Sequence, residues 1–412
     1  MRNAHETKST RLKSMNADVI AYERELVRRP ALAPENGGTG EHDKAAYIIT
    51  TLKKEALTFR DYPVKDARVP KGYRPNFCFI RPGIDTTRTF WIIAHMDVVP
   101  EGDRSLWKSD PFKLRVKKDT LIGRGVLDNN FAIVAGMLFL KTIARDTTPP
   151  PVNAGVFFFA DEEVGSRYGI EGVLKRYKNV FGRNDIVYVP DMGSPDGAMM
   201  EVAEKSMVWM TMTVRGKQAH GSLPNHGRNA HRAAAYLVTA MDAMRAAKFG
   251  ERDAMFDHPF TSVEPTRVKN NVTNINTIPG EQVISFDCRL LPQHSIASFM
   301  KAVTAVQRSV AKKFGITITR TIQQQHSSLP PLPVDSTALT LMRGAVKDVF
   351  SKKMQVYGVG GGTCAYFLRE RGINAVVCGK GKETAHAPNE SVAIRDITDY
   401  SKLFLNALKR LS

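Results

Sequence analysis

Hydrophobic and polar positions follow one another along the chain in blocks that predict three segments. From about residue 40 to 200, apolar stretches such as FWIIAH, VNAGVFFF and DIVYV alternate with helical patterns such as NNFAIVAGMLFLKTIA. Strands separated by helices are typical of βαβ units, which build a mostly parallel sheet. We therefore expect an α/β domain with a mostly parallel central sheet.

Between about residues 206 and 320 the order becomes strand, helix, strand, strand, helix, strand. Examples are the strands SMVWMTMTVRG and EQVISFDCRLLP and the amphipathic helix HGRNAHRAAAYLVTAMDAMRAAKF. This order predicts a small α+β domain of ferredoxin-like type. The α/β pattern resumes after HSSLPPLPVD, so we expect a first domain of residues 1–205 and 323–412 with residues 206–322 inserted.

Composition excludes several classes of protein. The 412 residues are 42% hydrophobic and 24% charged, as in ordinary globular proteins, and no run of eighteen apolar residues predicts a membrane span. The start of the chain is basic and lacks the apolar core of a secretory signal. Cys78, Cys288, Cys364 and Cys378 have no paired spacing, which indicates inert thiols in a reducing cytoplasm.

The net charge of +18 is high, and three interpretations compete. Nucleic-acid binding is disfavoured, because the Lys and Arg residues are spread along the chain and no zinc-finger, RRM or basic-zipper pattern occurs. A positive field that attracts small anionic substrates is the better functional interpretation. A basic surface without a function explains the charge about as well.

Polar clusters end several of the apolar runs. WIIAHMD places His95 and Asp97 at the end of a strand, and IVYVPD does the same with Asp191. The carboxyl ends of strands in an open α/β sheet are where ligands bind. Further candidates are Asp128 in GRGVLDNN, Glu162 and Glu163 in FFFADEE, and His386 in TAHAPNE.

Each of these residues alone has an ordinary explanation, as a helix N-cap, a solvated turn or a loop histidine. Together they would bring many carboxylates to one edge of the sheet, where unpaired like charges repel each other. A dinuclear cation site removes this repulsion, and imidazole with carboxylate ligands suits zinc, or cobalt and manganese less selectively. We expect Asp128 to bridge two ions, one completed by His95 and Asp191 and the other by Glu163 and His386.

The same chemistry suggests roles for two neighbours. Because residues two apart on a strand point to one side, Asp97 is expected to hydrogen-bond the His95 imidazole and fix its tautomer. Glu162 and Glu163 are adjacent and point differently. One can bind metal while Glu162 faces the activated water as the general base.

The motifs HMDVVP, GRGVLDNN, DEEVGS, PDMGS and AHAPNE, in this order, resemble the M20 family of co-catalytic zinc hydrolases. That family includes succinyl-diaminopimelate desuccinylase, acetylornithine deacetylase, carboxypeptidases and dipeptidases. The resemblance covers nearly the whole chain and implies two divalent ions, hydrolysis of an amide bond, and a homodimer formed through the inserted domain. It also implies the roles given above for His95, Asp97, Asp128, Glu162, Glu163, Asp191 and His386.

The resemblance further implies residues that contact a small anionic substrate. His220 of GKQAHGSLP would reach across the dimer to stabilise the oxyanion, although it could equally be a turn residue. Asn276 and Arg289 would hold the substrate carboxylate, but a structural ion pair between Arg289 and Asp287 competes with that role. In GVGGGT, a threonine where a third glycine is needed breaks the dinucleotide fingerprint. A backbone nest with Gly361, Gly362 and Thr363 that binds a carboxylate fits better.

Two departures from the family pattern leave the substrate open. A Lys-Gly pair often follows the bridging aspartate, whereas Asn130, Phe131 and Ala132 stand here. The ligand at Asp191 is commonly Glu in the deacylases and Asp in several peptidases. We therefore expect an N-acyl amino acid deacylase, with a dipeptidase or carboxypeptidase as the alternative. A non-catalytic binding homologue is disfavoured by the intact Glu162.

Overall fold

The computed structural model describes residues 8–412, so expectations for residues 1–7 lie outside the described residues. The chain forms two compact units. Unit 1 contains the described residues up to Val202 together with Leu332–Val356 and Thr363–Ser412, and unit 2 contains Ala203–Pro331 and Tyr357–Gly362. The domain boundaries at 205/206 and 322/323 stay predictions. When the chain is divided according to which residues contact each other, it leaves unit 1 after Val202 and returns to it at Leu332.

The helices are α1 (Lys8–Val27), α2 (His42–Leu52), α3 (Asn130–Arg145), α4 (Ile170–Arg176), α5 (Ala230–Lys248), α6 (Ile296–Phe314), α7 (Thr337–Phe350), α8 (Ala365–Arg369) and α9 (Ile394–Lys409). The strands are β1 (Thr58–Asp61), β2 (Val64–Lys65), β3 (Tyr73–Arg74), β4 (Phe77–Arg81), β5 (Asp85–His95), β6 (Arg115–Lys117), β7 (Thr120–Ile122), β8 (Val152–Phe159), β9 (Ile186–Val189), β10 (Met199–Glu204), β11 (Ser206–Arg215), β12 (Ala219–His220), β13 (Ser262–Asn270), β14 (Thr277–Ile278), β15 (Glu281–Leu290), β16 (Thr317–His326), β17 (Gln355–Val359), β18 (Ala375–Cys378) and β19 (Ser391–Ala393). None of the described helices is both long and apolar enough to cross a membrane.

The large sheet has the strand order β1-β4-β8-β5-β9-β18-β10-β17. The four central strands β8, β5, β9 and β18 are parallel, whereas the β1–β4, β4–β8 and β18–β10 pairs are antiparallel. The α/β fold class is therefore confirmed, with a mixed sheet whose parallel part is its centre. His95 pairs with Phe159, so the carboxyl ends of β5 and β8 lie side by side.

The centre of this sheet is buried because its strands are apolar on both faces, as expected for parallel strands covered by helices. Residues Phe90–His95 of β5 and Gly155–Phe159 of β8 are all buried. Gly155 permits the close approach of its neighbours. A Cβ at this position would lie 2.7 Å from Trp91 Cζ3 and 2.9 Å from the Phe79 carbonyl oxygen. Cys78, Cys288, Cys364 and Cys378 are all buried, and none of the four forms a disulfide.

Unit 2 contains a four-stranded sheet of order β13-β15-β11-β16, in which every neighbouring pair is antiparallel. One face of β11 is buried through Val208, Met210, Met212 and Val214, which belong to a core that also includes residues of α5 and α6. Both helices begin at polar caps, where the side chain of Asn229 accepts a hydrogen bond from Arg232 N and that of Ser295 accepts one from Ser298 N.

Candidate metal centre

The loops after β5, β8 and β9 meet at the carboxyl edge of the parallel strands. His95 is the last residue of β5, Glu162 and Glu163 follow β8 in a 3₁₀ turn, and Asp191 lies two residues beyond β9. Asp128 comes from the loop that precedes α3, and its peptide bond to Asn129 is cis. These segments are far apart in sequence, and the sheet topology brings them together in unit 1.

The first group of possible metal ligands is His95, Asp128 and Asp191. His95 Nε2 lies 2.9 Å from Asp128 Oδ1 and 3.4 Å from Asp191 Oδ1. His95 Nδ1 lies 3.1 Å from the Asp97 carbonyl oxygen, which can only accept a hydrogen bond. The Asp97 carbonyl requires a hydrogen on Nδ1, so once the ring loses the proton that Nε2 shares with the carboxylates, its lone pair is on Nε2, where a metal ion would bind.

The second group is Asp128, Glu163 and His386. His386 Nε2 lies 3.0 Å from Asp128 Oδ2 and 3.1 Å from Glu163 Oε2. Asp128 thus turns one carboxylate oxygen towards each group, as a bridging ligand does. The His386 side chain is 56% exposed, so this group opens to solvent, whereas His95 is buried.

Asp97 acts mainly through a different contact from the one expected. The strand β5 ends at His95, so alternation along a strand does not apply to Asp97, and its Oδ1 is 3.5 Å from His95 Nδ1. The Asp97 carboxylate instead accepts the backbone N–H groups of Glu162 (3.0 Å) and Glu163 (2.9 Å). It therefore fixes the acidic turn directly and the imidazole through its own carbonyl group.

Electrostatics in the site reflect the crowding of carboxylates. Burial raises the pKa of Glu162 well above its usual value, and the negative charge of Asp191 adds to this effect. Burial and Asp128 raise the pKa of Glu163 to about 7. The carboxylates of Asp128 and Glu163, which accept hydrogen bonds from the His386 ring, raise the pKa of His386 to about 10. In the protein without metal, protons therefore stand in for the cations that these groups attract.

The donor atoms fit divalent metal ions. Glu163 Oε1 is buried and has no hydrogen-bond partner among the described residues, an arrangement that costs free energy unless a further group binds there. Imidazole nitrogen and carboxylate oxygen are the donors found in catalytic zinc sites. Neither group of three completes a four-coordinate shell, which leaves positions open for water or substrate.

The loop that contains Asp128 is held by Glu390, whose role the sequence analysis missed. Its Oε1 accepts the N–H groups of Leu127 (2.9 Å) and Asp128 (3.0 Å), and its Oε2 accepts that of Gly125 (2.9 Å). Arg124 Nη1 also donates to Glu390 Oε2, at 2.7 Å, and Nη2 donates to the His386 carbonyl at 3.2 Å. Glu390 thus joins the loops that carry two of the ligands, and its place in AHAPNE was the available signal.

A second buried network lies behind the acidic turn and was also missed. Arg74 is fully buried and binds Glu41, while its Nη1 lies 2.9 Å from Asp161 Oδ1. Asp161 adopts a left-handed backbone conformation with φ of 68°, which few residues other than Gly, Asn and Asp adopt readily. The ion pair secures this strained residue immediately before Glu162.

Residues 91–410 match the profile of peptidase family M20/M25/M40. The chain belongs to this family. An uncharacterised metallohydrolase of Methanococcus maripaludis is 34% identical over 97% of this chain and 100% of its own length. A succinyl-diaminopimelate desuccinylase of Pelagibacter ubique is 24% identical over 95% of this chain and 98% of its own. As a member of the M20 family, the protein is a metallohydrolase of amide or peptide bonds.

Solved structures of M20 proteins share the fold. Human carnosine dipeptidase 1 has a TM-score of 0.79 at 16% identity, with 97% of each chain covered. A Bacillus subtilis protein described as a dinuclear metal binding peptidase from the M20 family has a TM-score of 0.67 at 17% identity, with 97% of this chain and 98% of that chain covered. At these identities, the likeness concerns the fold.

The residues expected to contact substrate from unit 2 have definite partners. His220 is exposed, and its Nδ1 accepts the backbone N–H of Ser222 at 3.2 Å, so in the neutral ring Nε2 carries the hydrogen. Asn276 lies beside this segment, and its carbonyl accepts the N–H of Gly221 at 2.6 Å.

Arg289 makes the structural ion pair with Asp287 that was the alternative to binding the substrate carboxylate. Its Nε and Nη2 bind Asp287 at 2.7 and 3.0 Å, and its Nη1 donates to the carbonyl of Gly360 at 2.9 Å. The side chain thereby ties β15 to the glycine-rich loop that contains Gly361 and Gly362. Because a guanidinium group has five N–H donors, two remain for a ligand. Thr363, in unit 1, accepts the N–H of Ala365 at 3.2 Å.

Proposed function

We propose that the protein hydrolyses N-acyl amino acids with two divalent metal ions, which His95, Asp128 and Asp191 would hold on one side and Asp128, Glu163 and His386 on the other. The main support is the pair of ligand groups that share Asp128, with a carboxylate outside both groups, Glu162, beside them. The ions would supply Lewis acidity, which lowers the pKa of water and polarises the carbonyl group of the substrate. Zinc suits the donor set, and cobalt and manganese are substitutes.

The residues of the chain would then move one proton. Glu162 accepts a proton from the attacking water, whose oxygen bonds to the carbonyl carbon. Glu162 returns this proton to the amide nitrogen as the C–N bond breaks, which releases an amine and a carboxylic acid. The second proton of the water, carried by the acid, then passes to the amine, so that the final products are a carboxylate and an ammonium ion. The raised pKa of Glu162 suits the first step, because a carboxylate with a higher pKa is a stronger base towards the water.

The remaining predicted roles belong to the same proposal. The tautomer of His220 offers an Nε2–H donor, which is what an oxyanion requires, and we propose that it acts across a homodimer. We propose that Asn276, Arg289 and the loop with Gly361, Gly362 and Thr363 bind the free carboxylate of the substrate. Replacing His220 by Ala should lower kcat and leave metal content unchanged. A fully active monomer in light scattering and kinetics would contradict the role across the dimer.

A peptidase acting on dipeptides is the second candidate, because Asp191 stands where deacylases commonly have Glu. Metal analysis and a substrate panel test both. The protein reconstituted with zinc, cobalt or manganese should contain two ions per chain and hydrolyse N-succinyl, N-acetyl or N-formyl amino acids faster than dipeptides. The reverse order of rates would favour the peptidase. A reconstituted protein without bound metal would contradict the proposal altogether.

A further inference from the structure

Lys44 is a buried lysine that belongs to neither ligand group. It lies on α2, is 2% exposed, and its Nζ donates to Asn130 Oδ1 at 3.2 Å. Asn130 is the first residue of α3 and follows Asp128 by two positions. A buried ammonium group costs several kcal/mol unless nearby groups compensate for it, so its presence here requires a reason.

The charges that compensate Lys44 are those that support the metal centre. Burial lowers the pKa of Lys44 to about 8, while Asp97, Glu23, Glu41 and Glu390 raise it. Asp97 holds the turn of Glu162 and Glu163, and Glu390 holds the backbone up to Asp128. Glu41 binds Arg74 and accepts the N–H of Asp161 at 3.3 Å. One ammonium group thus interacts electrostatically with three of the carboxylates that fix the ligand loops, while its direct hydrogen bond is to Asn130.

A simpler explanation is that Lys44 is only the counter-ion of Glu23. The two side chains meet through the amide of Asn130, whose Nδ2 donates to Glu23 Oε2 at 3.3 Å. Glu23 is fully buried, its Oε1 has no hydrogen-bond partner among the described residues, and burial raises its pKa well above the usual value. Burial also raises the pKa of Glu41 and Glu390, but each of them pairs with an arginine, Arg74 or Arg124, that supports its ionised form. Glu23 has no such arginine among the described residues, so its ionised form is the least supported of the three.

We propose that Lys44 is a positioning residue of the metal centre, whose ammonium group fixes Asn130 at the start of α3 and balances the supporting carboxylates Asp97, Glu41 and Glu390. This inference rests on the proposed function, because it concerns the placement of Asp128 as the bridging ligand.

The test uses the full-length protein loaded with Co²⁺, whose visible absorption depends on the geometry of its ligands. Lys44→Met keeps an unbranched side chain that is one atom shorter and removes its charge, and Lys54→Met makes the same change at an exposed lysine just beyond α2 as the matched control. For Lys44→Met we expect a changed cobalt spectrum and a kcat lowered at least ~10-fold, with KM within about twofold of the wild-type value. We expect Lys54→Met to match the wild type in all three.

The double variant Glu23→Gln/Lys44→Met separates the two explanations, because it removes both partners of the simpler ion pair. We expect it to keep the altered spectrum and low kcat of Lys44→Met. If the double variant regains the wild-type spectrum and kcat, Lys44 is only the counter-ion of Glu23. If Lys44→Met fails to fold, the double variant is compared directly with the wild type and with Glu23→Gln, and a wild-type spectrum again contradicts the inference. A wild-type protein that binds no Co²⁺ would instead contradict the proposed function.

Discussion

Glu162 and Glu163 are neighbours in the chain, but their surroundings separate their roles. Glu163 contacts His386 and belongs to a ligand group, whereas Glu162 belongs to neither group. We therefore expect Glu162→Gln to retain two metal ions and to lower kcat by roughly 10²–10⁴-fold, since an amide cannot accept the proton of water. Elemental analysis and kinetics check this, with Glu163→Gln as the contrasting variant that should lose an ion. If Glu162→Gln lost the ion instead, the two roles would be exchanged.

The histidines predict how metal binding depends on pH. Without metal, Asp128 and Glu163 raise the pKa of His386 to about 10, and the pKa of His95 is also raised well above its usual value, although burial opposes this. Both rings are therefore protonated at pH 7 and must lose a proton before they can bind metal. Loading two ions should release about two protons per chain, and affinity should increase with pH up to about 10. Calorimetry in buffers of different ionisation enthalpy measures this release, and heats that do not depend on the buffer would contradict it.

At the scale of elements, Glu390 connects the loop before α3 to the loop before β19. Glu390 accepts hydrogen bonds from four donors, two on each oxygen, so Glu390→Gln would leave two of the four facing an amide NH₂ whichever way the amide is turned, and it would remove the charge that pairs with Arg124. We expect a loss of about 3 kcal/mol in the free energy of unfolding, together with weaker metal binding at Asp128. Denaturant unfolding and metal titration measure both. The exposed Glu383→Gln in the same loop is the control and should change stability by less than ~0.5 kcal/mol. Equal stability of the two variants would contradict the bracing role of Glu390.

The elements that position the site could be predicted where the pattern is local. Polar residues stand at or just after the ends of the apolar strands β5, β8 and β9, and this local pattern identified His95, Glu163 and Asp191 from the sequence. The structure brings these three residues into the two ligand groups. Arg74 and Glu390 were missed because the partners of their charges are 87 and 266 residues away, and no local pattern encodes such pairs. Asp97 was found, but its main contact was not, because the strand stops at His95 and the chain then turns.

For the whole molecule, the order and direction of the strands also depend on pairing between distant residues, which no local sequence pattern encodes. The alternation of strands and helices predicted a parallel sheet, and its centre is parallel. The antiparallel β1, β4 and β10 are short segments of the kind whose direction depends on tertiary pairing. In the four-stranded sheet of unit 2, the strands and the helices α5 and α6 follow one another in the predicted order. Its two central strands, β11 and β15, place every second residue in the core over their full length, which is the pattern that a sequence shows locally.

The net charge of +18 and Arg289 make a joint prediction about an anionic substrate. A positive field increases the local concentration of anions and is screened by salt, so KM for a free-acid substrate should rise between low and high ionic strength. Arg289→Ala should raise KM for the free acid about tenfold, and it should leave KM for the carboxylate-blocked amide unchanged. Because Arg289 also binds Asp287 and Gly360, Asp287→Asn is the control that removes the ion pair but keeps the guanidinium group. If Arg289→Ala affected both substrates equally, or if Asp287→Asn matched it, Arg289 would support the loop without binding the substrate.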